Sequence, residues 1–273
     1  MIRTDAIASP PKREVRVKRL ILPTEHGSWG FLLEPLVAGL AIAFSTAGVW
    51  IAVMVIGAFL TRQPLKFFLL GLTGAGFREQ TFAAAKYTAL FGIIFAIGLA
   101  GALATAPQWS MFPFAVIAPL ASYQIFIDLS RKSRDLIPEL TGAVAISSSV
   151  AAIAIAGGFS FPVAMALWAI FIARLIPSII YVRNRLRLEK GKESSMMAAV
   201  STHFVALGGV GLLAANGLAS YLTVGIFLLL TVRSWIGLSP YRKRVKAMRI
   251  GILEVVYGTL TVATVIAGYY IGI

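Results

Sequence analysis

Nine apolar runs, separated by mostly short connections, constrain this chain more than any other feature. They cover residues 28–45, 49–70, 82–103, 111–127, 138–156, 161–182, 197–213, 218–235 and 250–271. About 20 apolar residues in a helix cross roughly 30 Å of hydrocarbon. The runs are continuous rather than alternating over ten residues, so they predict membrane helices and not the strands of a barrel. Charged residues make up 13% of the chain and hydrophobic ones 58%, whereas a soluble domain carries about 25% charged residues. The predicted fold is all-α, a polytopic transmembrane helical bundle of about nine spans. Residues 1–20 are expected to form a basic cytoplasmic arm, disordered over its first part, and residues 21–273 a single transmembrane domain.

The charge distribution orients this bundle. All 25 Lys and Arg residues fall on one side, in the N-terminal arm, in every second connection, at the span ends beside them or, for Arg174, deeper in the inner half of a span. The alternate connections, 45–48, 104–110, 157–160 and 214–217, carry no charge. The positive-inside rule then places the N-terminus in the cytoplasm and the C-terminus outside, as in a multi-pass protein of the cell (inner) membrane. The net charge of +14 does not imply nucleic acid, because orientation and anionic lipid headgroups account for cations spread over five inner segments. The expected partners are membrane lipids, an anionic small molecule or lipid, and a soluble cytoplasmic protein. The absence of cysteine excludes disulfides, thiolate catalysis and cysteine-ligated metals. The arm holds Lys12, Arg13, Arg16, Lys18 and Arg19 but no apolar core of its own, so it does not read as a cleavable signal.

An ionisable group inside a span is costly and marks a candidate functional site. Glu34 lies in the first span, with Gly27 two turns earlier on the same face and Pro35 next to it. The carboxylate either meets a substrate there or pairs with an arginine of another span, and Pro35 predicts a kink. Arg174 stands nine residues before Arg183, about 13 Å deeper at helical rise. Arg174, Ser178, Tyr181 and Arg185 follow a 4-3-4 spacing, which predicts one polar stripe descending from the cytoplasm. Arg185 is within reach of water, and Arg174 is too deep to snorkel easily. Arg233, near the inner end of the eighth span, is expected to snorkel. Glu254 is expected to pair with Arg249 or with an arginine from another span.

The inner connections hold further candidates. Arg62 and Lys66 flank Pro64. Proline disfavours helix in the residue before it, so a broken helix with two cations, an anion site, is expected there. Asp128, Arg131, Asp135 and Glu139 recur at three, four and four, one mixed-charge face if the fourth span continues. Pro138 is expected to open the next helix, with Arg134 or Asp135 near its cap and Glu139 in its first turn, where a carboxylate favours the dipole. The glycines at 71, 74 and 76 lack the ending of a phosphate-binding loop. Close helix packing is expected of them and of Gly208, Gly209 and Gly211. His26 and His203 are expected to face the same inner vestibule; no histidine pair stands at metal-ligand spacing, so a metal site from histidine alone is not expected, and the residues leave the cofactor unknown.

Two segments carry a family resemblance. Pro23-Thr-Glu-His-Gly-Ser-Trp-Gly-Phe-Leu-Leu-Glu-Pro35 is similar to the opening Pro-x-x-His-Gly-Ala-Trp of the YwiC-like family of bacterial integral membrane proteins, with its proline after the apolar stretch. Arg62-Gln-Pro-Leu-Lys66 resembles that family at the end of the second span. The resemblance covers nearly the whole chain from Pro23 and implies no established activity. A weaker likeness is to the UbiA superfamily of intramembrane prenyltransferases, which have nine helices and catalytic segments at the inner ends of the second and sixth. Segments 62–66 and 174–187 fall at those places. The UbiA motifs are aspartate-rich and hold Mg²⁺, whereas these segments carry arginine and no aspartate, so such a metal cluster cannot form from them.

The function expected from these residues is binding or transformation of an anionic amphiphile, such as an isoprenoid phosphate, in an arginine-lined cavity open to the cytoplasm. His26, Arg62, Lys66, Arg131, Arg134, Arg174, Ser178 and Tyr181 would line it, and Glu34 or Glu139 would accept a proton. The alternatives are a transporter in which Glu34 and Arg174 form a switchable pair, and a membrane subunit that docks a soluble partner.

Overall fold

The structure, a computed structural model, describes residue 21 and residues 26–74, 78–129 and 135–272. Among these residues the chain is all-helical, with no strand. Nine α-helices follow in order: α1 (His26–Ile42), α2 (Thr46–Leu72), α3 (Arg78–Thr105), α4 (Phe112–Leu129), α5 (Leu136–Ala156), α6 (Phe161–Glu189), α7 (Met196–Ala215), α8 (Tyr221–Leu238) and α9 (Ala247–Ile271). A short 3₁₀ turn, Gln108–Met111, leads into α4. Each helix coincides with one of the nine apolar runs. Seven of them, α2, α3 and α5 to α9, are long and apolar enough to cross a membrane, and α1 is apolar but shorter.

Helices α5 and α6 form the centre, each with more than half of its apolar span buried. Around them α1, α2 and α4 pack on α5, α7 packs on α6 and α8, and α9 packs against both α8 and α1. One apolar core joins α1, α5, α6, α7, α8 and α9 through Ala38, Val150, Phe171, Val210, Phe227 and Val262. A second joins α1, α2, α3 and α5 through Leu36, Ile51, Phe59, Ala102 and Ile153. Helix α3 is peripheral and packs on α2. That crossing is close because glycine replaces a side chain on both helices: a Cβ on Gly57 would strike the Phe95 backbone, and one on Gly98 the Met54 backbone. Small residues at such crossings let two membrane helices approach without a lipid-filled gap. Apolar side chains such as Phe82, Ile93 and Ile97 on α3, Val205 and Leu212 on α7 and Val255 on α9 are exposed on the outside, as acyl chains require.

Three helix starts are capped by serine. Ser45, Ser195 and Ser220 accept from Gly48 N, Ala198 N and Leu222 N at 2.9, 3.1 and 3.0 Å. Such caps satisfy amide donors that the helix itself leaves unpaired.

Several local expectations are overturned. Helix α2 does not break at Pro64 but continues to Leu72. A proline interrupts one backbone bond, whereas ending the helix in an apolar setting exposes several polar groups. Helix α1 also continues through Pro35, where the expectation was a kink and not a break. Helix α5 starts at Leu136 rather than at Pro138; Asp135 precedes it without a side-chain cap, and Glu139 stands in its first turn. Of the glycines, Gly71 packs on the Thr81 side chain, but Gly208, Gly209 and Gly211 have no neighbour that a Cβ would meet. Close packing therefore explains Gly71 and not that trio. Gly76, Arg131, Arg134, the side chains of His26 and Asp128, and the arm 1–20 lie outside the described residues.

Candidate functional site

The polar stripe of α6 is buried along its length. Arg174 is 2% exposed, and Ser178, Tyr181 and Arg185 are also buried. The 4-3-4 spacing places all four on one helix face, and that face turns inward among α1, α8 and α9 rather than toward lipid.

Arg174 is the hub. Its Nη2 lies 3.6 Å from Glu34 Oε1 on α1, and its Nη1 lies 3.6 Å from Glu254 Oε2 on α9. Nη1 also donates to Ser178 Oγ, one turn along α6, and Nη2 donates to the Glu254 backbone carbonyl at 3.3 Å. Glu254 is shared, because its Oε1 accepts from Arg233 Nη2 on α8. Two guanidinium groups and two carboxylates thus join four helices in one chain of contacts. Glu254 stands seven residues into α9 and Glu34 eight residues into α1, so the network lies about 10–12 Å along either helix at helical rise.

Arg233 is the main correction to the sequence expectations. It does not snorkel: its side chain is 9% exposed and lies between two aromatic rings. Its guanidinium carbon is 4.1 Å from the Tyr181 centroid and 4.4 Å from that of Tyr257. A cation over an aromatic face gains from the ring quadrupole, and more so when water is excluded. Aromatic faces and Glu254 together replace the hydration that a snorkelling arginine would keep. His203 on α7 is buried and packs its ring edge-on to Tyr181, with centroids 6.3 Å apart. Its Nδ1 lies 2.7 Å from Ala199 O.

Two glycines make room for these groups. A Cβ on Gly258, one turn after Glu254, would occupy the position of Glu34 Oε1. A Cβ on Gly237 would strike the Tyr181 hydroxyl. Sequence reasoning assigned neither. The signal was the i, i+3, i+4 grouping of Glu254, Tyr257 and Gly258 on α9, and of Arg233 and Gly237 on α8.

The pairing is incomplete. Glu34 Oε2, Arg174 Nε, Arg233 Nη1, His203 Nε2 and Ser234 Oγ are buried without a hydrogen-bond partner among the described residues. Buried polar atoms are normally satisfied, so a group of orphans in one place calls for a physical reason.

The other candidates form separate groups. Arg185 is buried and, contrary to expectation, does not reach water. Its Nη1 donates to Gly237 O at the end of α8, its Nη2 to Lys243 O at 2.5 Å, and it pairs with Glu189 at 2.8 Å. Glu139 pairs with Arg183 at 2.8 Å, both about one third exposed. Arg62 approaches Gln124 of α4 and Gly142 of α5. With the Gln124 amide oxygen facing it, Arg62 Nη2 donates at 2.5 Å. Lys66 is half-buried one turn further along α2. The structure therefore brings Glu34, Arg174, Ser178 and Tyr181 together and holds Glu139 with Arg183 instead. Among the described residues, no group of three His, Asp or Glu could hold a metal ion.

A bundle of apolar helices around a buried network of opposite charges defines a multi-pass integral membrane protein. Residues 22–154, from the segment before α1 to the end of α5, match the model of the YwiC-like protein family. This part of the chain, just under half of it, is similar to that family, and it contains both segments that carried the resemblance. The match ends at residue 154, short of the nearly complete coverage expected, so α6 to α9 lie beyond it. No curated protein and no solved structure matches the chain.

Proposed function

We propose that this protein sits in the cell (inner) membrane and binds an anionic amphiphile, of isoprenoid phosphate or lipid phosphate chemistry, with Arg174 and Arg233 holding the headgroup. The loose pairing of Arg174 carries this reading. Arginine bonds to carboxylate run about 2.7–2.9 Å, yet both carboxylates stand 3.6 Å from Arg174, and its Nε has no partner. At that range Glu34 and Glu254 neutralise the cation without saturating its donors. In the present arrangement no space remains between Glu34 and Arg174 for a ligand. A phosphate with several oxygens makes shorter, forked bonds to guanidinium and takes the place of the carboxylates as it enters from the basic end. Arg62 and Lys66 at that end add a positive field along the way. Glu34, with Oε2 unpaired, is the proton acceptor if the bound molecule is transformed.

The test is an untargeted lipid comparison of cells with and without the protein, and of cells carrying Arg174→Ala or Arg174→Lys at equal membrane abundance. The expected result is one class of anionic amphiphile that changes on removal and is restored by neither variant. Lysine keeps the charge but loses the fork. Lipids unchanged in all four strains would refute the proposal.

One observation favours transport as a second reading. Glu254 divides its two oxygens between Arg174 and Arg233, so a shift of one helix can exchange partners without leaving a charge unpaired. Uptake of a labelled anion into vesicles, without any change in the lipids, would single out this role.

A further inference from the structure

Where α6 leaves the bundle, a second face of it lines a cleft of about 570 Å³, walled by Leu136, Ile180, Arg183, Asn184, Arg187 and the segment 193–195. Ile180, Arg183, Asn184 and Arg187 follow a 3-1-3 spacing and turn away from the Arg174 stripe, so nothing here depends on the function proposed for that stripe. The cleft has two kinds of wall. Leu136 and Ile180 supply the apolar one, and Ile137 beside Leu136 is exposed. Arg183 and Arg187 supply the cationic one.

The polar wall is held in place from behind. Asn184 Oδ1 accepts from Ser195 N at 2.9 Å, and its Nδ2 donates to Ile180 O. Arg187 Nε donates to Glu193 O at 2.8 Å, and this single bond leaves both terminal nitrogens of an exposed side chain to meet a ligand. Arg183 is paired with Glu139 at 2.8 Å. The α6 end and the connection to α7 (183–193) carry Arg183, Arg185, Arg187, Lys190 and Lys192 against Glu189 and Glu193, a net +3. Ser195, the N-cap of α7, lies on the cleft wall, so the helix adds its positive end.

We infer that this cleft holds the phosphate of an anionic membrane lipid, with Arg187 as its forked donor, Arg183 as a second positive charge beside it, and the acyl chains leaving over Leu136, Ile137 and Ile180. The match is one of amphipathy: a soluble anion has no use for the apolar wall, and a neutral lipid none for the arginines.

The experiment is native mass spectrometry of the full-length protein in detergent, titrated with phosphatidylglycerol, with diacylglycerol and with glycerol phosphate. Arg187→Gln is the variant, because that side chain is exposed and its loss spares the bundle. Arg249→Gln, elsewhere at the basic end, is the control. Retained phosphatidylglycerol is expected to bind the unaltered protein and the control alike, and the Arg187→Gln protein about tenfold more weakly. Diacylglycerol, which has the acyl chains but no phosphate, is expected to bind all three equally, and glycerol phosphate not to compete. Equal phosphatidylglycerol binding by the Arg187→Gln protein would overturn the inference. Competition by glycerol phosphate would overturn it too, by assigning the cleft to soluble phosphate esters.

Discussion

Arg174 grips Glu254 twice across 80 residues of sequence, once by charge at 3.6 Å from the carboxylate and once by a 3.3 Å bond to its backbone carbonyl. The second contact fixes the height of α9 against α6, because a carbonyl, unlike a carboxylate, cannot swing on a flexible stem. Glu34 brings α1 to the same guanidinium. The contacts of α9 with both α6 and α1 therefore meet on one buried side chain.

Removing that side chain strands Glu34 and leaves Glu254 to Arg233 alone. Arg174→Met is expected to cost about 3–5 kcal/mol, the usual penalty for breaking one side of a buried ion pair. Adding Glu34→Gln to it is expected to restore much of the loss, because the Glu254–Arg233 pair stays in place. Reversible unfolding in detergent measures both. A double variant less stable than Arg174→Met alone would mean that Glu34 is held by something other than Arg174.

The position of Gly258 depends on Glu34. Gly258→Ala places a methyl group where Glu34 Oε1 now lies, so α1 and α9 must separate or the carboxylate must turn. A cost of about 1–3 kcal/mol is expected, as for overpacking a tight site. Gly251→Ala on the same helix meets nothing within 4 Å and is expected to be neutral or slightly stabilising. Melting of the two variants side by side separates crowding from helix propensity.

Arg185 ties down the far end of α8 and the connection after it through Gly237 O and Lys243 O. Unpaired carbonyls at a helix end need such a donor. In Arg185→Gln the segment 239–246, which contains Arg242, Lys243, Arg244 and Lys246, is expected to be cut by trypsin several-fold faster than in the unaltered protein. Unchanged cleavage would show that the segment is held from elsewhere.

How much of this was legible in the sequence varied with the range of the interaction. The nine helices were legible because hydrocarbon thickness sets their length and one apolar run suffices to mark each. That Arg174, Ser178, Tyr181 and Arg185 share one face was legible from helical spacing, whereas the burial of Arg185 was not. What Arg233 touches was not. An arginine five residues from a helix end snorkels or turns inward according to what its neighbours offer, and the rings of Tyr181 and Tyr257 reach it from helices distant in sequence. The continuity of α2 through Pro64 was missed for a related reason: a local steric preference was weighed without the apolar surroundings that penalise a broken helix.

The aromatic enclosure of Arg233 is open to test. Tyr257→Leu keeps the volume near and removes the ring face, and a loss of about 0.5–2 kcal/mol is expected. Tyr257→Phe keeps the face and is expected to lose little. Similar losses for both would place the contribution in the hydroxyl and not in the ring.

The most direct measurement is equilibrium binding of a short isoprenoid phosphate, and of the matching alcohol, to the purified protein and to Glu254→Gln and Arg174→Gln. If carboxylates occupy the place of an anionic headgroup, removing one frees the arginines. Glu254→Gln is then expected to bind the phosphate about tenfold more tightly, a difference of about 1.4 kcal/mol. Arg174→Gln is expected to lose that binding, and the alcohol to bind all three proteins alike. Phosphate binding that is weakened by Glu254→Gln, or untouched by Arg174→Gln, would contradict the account.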